Sequence, residues 1–352
     1  DRSLLPLLLV EMRFLVIALV ALSSIETALS VKCSIESINY APGNAEEFCV
    51  LKGLKTDGAA TGDIQTDPSI TRVAIVDSSL KRLTAAFYER FPRLEHLVVR
   101  NSGLEQLHIT NIVRIIDAPG NQIKSISIQG GGALQELNLH SNSISDITPI
   151  SGLVGLTKLN LGATSIANDN SFDFTDLGRL TNLTELYIDG LDLYYLENTN
   201  KRVLPNLRVL DLSHNPLTPS NFQLDLFRAM PKLEVLLLRN CLLTSLSVYP
   251  DELRTDFPSL EKIYLEGNHL KCPRFTQLLD ILKANGIDPV EPEQAEECSQ
   301  GFMSISQMCC QFLMLPPTET TTTSSTTTVH PSSTTQEPKQ LSNWQKFKNW
   351  FG

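Results

Sequence analysis

Leu134-Gln135-Glu136-Leu137-Asn138-Leu139-His140-Ser141-Asn142-Ser143-Ile144 is the stretch that decides the fold. Leu137 and Leu139 alternate with Glu136, Asn138 and His140, the period-two pattern of a strand with one dry face and one wet face. Asn142 follows where the chain must bend. An asparagine turned inward there hydrogen-bonds backbone groups that water does not reach. A unit this small cannot bury its own leucines and must stack on copies of itself. Eight variants of the pattern supply the copies. Their first apolar positions, with that of the quoted unit, are Ile70, Leu94, Val113, Leu134, Leu156, Leu183, Leu207, Leu233 and Leu260, spaced by 19 to 27 residues.

The pattern Leu-x-x-Leu-x-Leu-x-x-Asn-x-Ile is similar to a leucine-rich repeat. The expected fold is therefore an α/β-type, right-handed solenoid with a parallel strand face. Nine units at roughly 4.8 Å per strand give an array about 40 Å long before curvature, with the strands on the concave side. Phe87-Tyr-Glu-Arg-Phe-Pro-Arg-Leu94 and Phe227-Arg-Ala-Met-Pro-Lys-Leu233 resemble the Phe-x-x-x-Pro-x-Leu element of extracellular repeats, in which the Phe packs between units. Between Ile112 and Gly132 the pattern is weakest. Pro119 cannot donate to a ladder, and Gly130-Gly131-Gly132 interrupts the back, so an irregularity is expected there. The triple glycine lacks the strand-loop-helix context and the lysine of a phosphate loop.

Outside the repeats the composition changes. Residues 1–11 precede a plausible start methionine and read as upstream translated sequence. Residues 12–30 have a positive start, an apolar segment and the small-x-small site Ala28-Leu29-Ser30, the features of a signal peptide. Six of the seven cysteines flank the repeats: Cys33 and Cys49 before them, and Cys272, Cys298, Cys309 and Cys310 after. In an oxidising compartment this layout suits disulfides sealing the two ends of a solenoid. No Cys-x-x-Cys or spaced histidine pair points to zinc. Residues 31–69 are read as an N-terminal cap pinned by Cys33–Cys49, 70–270 as repeats, and 271–315 as a C-terminal cap carrying a helix that ends on Gly286. Adjacent cysteines pair poorly, so Cys272 is expected to bond one of Cys309 and Cys310, and Cys298 the other. Cys241 takes a repeat asparagine's place and is the expected free thiol.

Residues 316–338, almost entirely Thr, Ser, Pro and Glu, read as a mucin-like stalk. Residues 339–352 space Trp344, Phe347 and Phe351 at three and four, with Trp350 beside them and Lys346 and Lys348 between. That is the pattern of a short basic amphipathic helix for a membrane surface or a partner. The formal charge of -10, without a basic run, argues against nucleic acid.

No enzymatic motif, cofactor motif or metal spacing is present. Asp211, Ser213 and His214 lie together, but on an ordinary repeat strand and bend, and a triad is recognised by geometry rather than by nearness in sequence. Binding is a better prospect. The outward strand positions form three columns, and their C-terminal half carries Glu185, Tyr187, Asp189, Val235, Leu237, Arg239, Tyr264 and Glu266. Aromatic and Arg side chains among polar neighbours are the usual anchors of a protein interface, so this is the expected partner-binding region. The sequon Asn182-Leu183-Thr184 would place an N-glycan just before a strand, beside the columns rather than within them.

Taken together, the signal peptide, the cysteine-flanked repeats and Asn268-His269-Leu270-Lys271-Cys272 leading to Cys309-Cys310 resemble secreted insect leucine-rich repeat proteins. The chain looks most like the leucine-rich immune proteins of mosquitoes. Longer members of that family carry C-terminal coiled coils and hold complement-like proteins in the haemolymph in disulfide-linked complexes. Here a Thr-rich stalk and an aromatic tail stand in place of the coil, as in a short, coil-less type. The resemblance implies a secreted innate-immune recognition protein with a protein or microbial-surface partner. The alternative expectations are an extracellular matrix or mucosal-lining protein, or an adhesion module held on a membrane by its tail.

Overall fold

Nine short strands stack in parallel, one per repeat, and a cap at each end extends the sheet to twelve. The computed structural model describes residues 31–312 apart from 42–43, 57–63, 66, 167–169, 221, 223 and 296. The expected signal peptide, stalk and tail, with Trp344, Phe347, Trp350 and Phe351, lie outside the described residues. In chain order the sheet is β1 (Ser34–Ala41), β2 (Asn44–Lys52), β3 (Arg72–Val76), β4 (His96–Val99), β5 (Ile115–Asp117), β6 (Glu136–Asn138), β7 (Lys158–Asn160), β8 (Glu185–Tyr187), β9 (Val209–Asp211), β10 (Val235–Leu237), β11 (Lys262–Tyr264) and β12 (Asp288–Pro289). All neighbours are parallel except the β1–β2 hairpin.

The register follows from the leucines. Ile116, Leu137, Leu159, Leu186, Leu210 and Leu236 pair in line across successive strands, and each is at most 1% exposed. A slip of one residue would turn every such leucine to water. The weak stretch does not break the ladder: β5 keeps register with both β4 and β6. Pro119 lies past the end of β5, where its missing N–H costs nothing and its carbonyl accepts from Asn101 N–H. The three glycines turn the back of that repeat, after a second parallel sheet formed by Arg82–Leu83, Gln106–Thr110 and Ser125–Gln129.

Behind each strand the chain bends through one left-handed residue, in order Asp77, Asn101, Gly120, Ser141, Ala163, Gly190, His214, Asn240 and Gly267, all with positive φ. The next position is the asparagine column. Asn215 Oδ1 accepts from the N–H groups of Leu191 and Leu193 in the preceding repeat, and its Nδ2 donates to the carbonyls of Ile188 and Leu212. Asn268 repeats the pattern with Cys241, Leu243, Leu238 and Leu265. Each asparagine thus bonds backbone polar groups that the bend would otherwise bury unpaired. The column is not uniform: Ser78, Ser102, Thr164, Leu191 and Cys241 take the asparagine's place in their repeats.

On the far side, Phe227 stacks on Phe257 of the next repeat at 5.0 Å between ring centroids, and Phe87 and Phe91 pack together at 5.1 Å. The helix Cys272–Ala284 buries Cys272, Phe275, Leu278, Leu279 and Leu282 over the last repeat. Gly286, at φ 68°, takes the left-handed turn that ends it. Cys33 bonds Cys49, Cys272 bonds Cys310, and Cys298 bonds Cys309. Cys309 and Cys310 are neighbours on one strand, Met308–Gln311. Their side chains point to opposite faces of it and reach different partners.

Candidate partner-binding face

Not all of the strand face is open. β2 reads Phe48-Cys49-Val50-Leu51, apolar on both sides. Cys49 and Leu51 enter the repeat core, while Phe48 and Val50 bury Ala74 and Val98 on the strand face, with Ile38 and Tyr40 packed over them. The His96 ring sits 4.5 Å from Tyr40 and 4.9 Å from Phe48, edge to face with both. Burial lowers the His96 pKa to about 4, with Glu46 opposing the shift and Arg72 and Arg100 adding to it. Arg100 fastens the hairpin, donating from Nη2 to Tyr40 O at 2.6 Å and from Nε to Asp117 Oδ2 at 2.5 Å. The far carboxylate oxygen of Asp117 accepts from Asn138 Nδ2 at 2.7 Å. Alternation alone places Ala74, His96, Val98 and Asp117 on display. The structure buries all four: the cap folds across Ala74, His96 and Val98 on the first two repeats, and Arg100 and Asn138 bond Asp117 on the third.

From β6 onward the face is open, and its side chains follow the expected columns. Glu185, Val209, Val235 and Lys262 align across β8 to β11, and so do Tyr187, Asp211, Leu237 and Tyr264. Tyr187, Val235, Leu237 and Tyr264 are half-buried. The Tyr187 hydroxyl donates to Glu185 Oε2 at 2.9 Å, and the same oxygen lies 3.0 Å from Lys158 Nζ. Burial, the bond to Glu185 and the nearby Asp211 and Asp189 charges push the Tyr187 phenol far above its ordinary range. Arg239 lies over the Tyr264 ring at 4.2 Å and forms an ion pair with Glu266. Its charge is therefore held in place by a ring and a carboxylate, which fixes the rotamer before any partner arrives.

Asp189 follows its strand and leans over Gly162, where a Cβ would collide with the carboxylate. Burial and the neighbouring Asp211 raise its pKa, with His140 and His214 pulling the other way. Asp211 Oδ1 accepts from Ser213 N–H at 2.9 Å. The Ser213 hydroxyl accepts from Arg239 N–H at 3.2 Å. His214 is the left-handed bend residue. The three residues that invite a catalytic reading are thus spread over a strand and its bend.

Cys241 is buried, its thiol donating to Leu212 O at 3.3 Å and Arg239 O at 3.4 Å. Burial pushes the thiol up to about 12, a range in which thiolate chemistry at neutral pH is negligible. Asn182 is exposed, its Nδ2 donating to Val154 O at 3.0 Å. Leu183 beside it is buried in the core. Among the described residues there is no group of three His, Cys, Asp or Glu placed to hold a metal ion, and no helix is long and apolar enough to cross a membrane.

The family model of the Leucine Rich Repeat matches residues 206–227. No curated protein sequence matches the chain. Among solved structures, the fold is similar to the crystal structure of the LRIM1/APL1C complex, with TM-score 0.52 and 19% identity over 75% of this chain and 50% of that one. The chain therefore spans half the length of the chain it matches there. It is also similar to the leucine-rich repeat domain of APL1B, with TM-score 0.51 and 19% identity over 70% of this chain and 74% of that one. The APL1 leucine-rich repeat domain matches with TM-score 0.51 and 19% identity over 75% and 71%. Likeness at this identity is one of fold, and supports the resemblance to leucine-rich immune proteins at the level of repeat architecture. The matched repeat, the unbroken strand register and the disulfides at both ends show a capped leucine-rich repeat fold.

Proposed function

We infer that this chain is a secreted, non-enzymatic recognition protein of innate immunity. Its partner, a protein or a microbial surface, binds the strand face between Glu185 and Glu266. One observation carries the reading. The chain's own hairpin closes the strand face at β3 and β4, while β8 to β11 leave Tyr187, Val235, Leu237 and Tyr264 half-exposed beside a prefixed Arg239. Large, rigid side chains held in advance lose little entropy on binding and are the usual hot spots of a protein interface. Three disulfides among the described cysteines support an oxidising, extracellular setting. Similarity to one chain of a solved complex supports protein binding by this architecture. The test is capture of partners from body fluid by the wild-type chain and by Y187A/Y264A. The reading expects a partner that the wild type retains and the variant loses; equal retention by both would refute it.

A further inference from the structure

Charge on the open strand face is largely settled within the chain. Lys158 pairs with Glu185, and Arg239 with Glu266. Asp189 and Asp211 are different: among the described residues neither forms an ion pair with Lys or Arg, and the Asp189 carboxylate leans over Gly162. Their position matters. Asp211 stands in one row with Tyr187 on one side and Leu237 and then Tyr264 on the other. Along its own strand it follows Val209, which pairs with Val235. A carboxylate with Ser213 N–H as its donor is thus set inside an otherwise aromatic and aliphatic patch.

Any partner that covers Tyr187, Leu237 and Tyr264 also strips water from these two carboxylates. Uncompensated, that desolvation opposes binding. A partner presenting only apolar surface is therefore penalised at the centre of the patch, and one bringing an acid more so. A Lys or Arg side chain at that point offsets the cost and gains a charge-assisted bond. We propose that the face over β8 to β10 selects a protein segment that places a basic side chain between Asp189 and Asp211, with apolar residues on either side resting on Val209, Val235 and Leu237. Gly162 belongs to this device, since its missing Cβ is what lets Asp189 settle over β7.

The proposal rests on the strand face being the binding surface, and one experiment separates the two. The probe is an octapeptide library of Val, Leu, Tyr and Ser with Arg, Lys, norleucine or Glu at the central position, screened against the full chain, D189N/D211N and Y187A/Y264A. Asn keeps the shape and the bond from Ser213 N–H, and unchanged thermal unfolding by circular dichroism verifies the fold of each variant. The expected result is enrichment of central Arg or Lys over norleucine by ten-fold or more with the wild type. That preference should be lost in D189N/D211N, and all binding should be lost in Y187A/Y264A. A preference that persists in D189N/D211N would assign it to the chain's general acidity and overturn the proposal. So would failure to enrich any sequence. Loss in Y187A/Y264A alone would leave the binding face standing and remove the basic side chain from it. Indifference to both variants would remove both.

Discussion

Arg100 donates to the carbonyl oxygen of Tyr40 at 2.6 Å, a contact across sixty residues of sequence that ties the N-terminal hairpin over the strand face. The same guanidinium neutralises Asp117, whose side chain is 6% exposed. Removing Arg100 leaves that carboxylate buried beside a neutral Asn138. R100A should lower stability by roughly 2–4 kcal/mol in urea unfolding, most of it from the stranded charge. The double variant R100A/D117N should recover a good part of the loss. Equal instability of the single and double variants would remove the ion pair from the account.

His96 gives the hairpin a pH dependence. Its pKa falls from the ordinary 6.5 to about 4 in the fold, so between those values the unfolded chain binds a proton that the folded chain does not. Its contribution is complete above about pH 6.5 and is lost as pH falls toward 4, by roughly 3 kcal/mol. Asp117 works in the opposite sense: burial raises its pKa, against the pull of Arg100, so acidification protonates it in the fold first. Comparison with H96Q isolates the histidine. Over pH 6.5 to 4 the wild type should lose more stability than H96Q, and parallel curves would contradict the assignment.

The asparagine column should be costly to break. N268A strips partners from Cys241 N–H, Leu243 N–H, Leu238 O and Leu265 O in one step. A loss of roughly 2–4 kcal/mol is expected, from several buried groups left unpaired. C241N restores the asparagine and should lie within about 1 kcal/mol of wild type, because the thiol already donates to Leu212 O and Arg239 O. Both values follow from chemical denaturation under oxidising conditions.

Gly267 has a tighter constraint. Its φ is 72°, and a Cβ there would run into the Asn240 side chain. G267A should cost more than the roughly 1 kcal/mol of an ordinary left-handed alanine. G132A, at a position with open space around the missing Cβ and no positive φ, should be close to neutral. Thermal midpoints of the two variants make the comparison.

Most of the solenoid was legible in the primary structure because one physical rule repeats nine times. Alternating leucines fix which residues face out, and the columns read from Leu137 and Leu139 are the ones that pair across β3 to β11. The bend asparagines were equally plain where they occur. What escaped is non-local. The closure of the first two repeats by Tyr40 and Phe48 depends on a hairpin meeting residues some fifty positions away. The one local hint was the run Phe48-Cys49-Val50-Leu51, apolar on both faces of a strand and so marked for burial on both sides. The settled charges of the open face, Lys158 with Glu185 and Arg239 with Glu266, are likewise cross-repeat contacts. They became visible only once register was known. The weakness expected at Ile112 to Gly132 failed because Pro119 falls two residues beyond the strand, where a ladder no longer needs its N–H.

The central claim is that a partner covers the strand face from β8 to β11. Hydroxyl-radical footprinting of the full chain, with and without the partner captured from body fluid, tests it most directly. The expected result is protection of Tyr187, Leu237 and Tyr264, with Tyr195 and Tyr249, 50% and 68% exposed outside that face, oxidised equally in both states. Protection of Tyr195 or Tyr249 with Tyr187, Leu237 and Tyr264 unchanged would contradict the account.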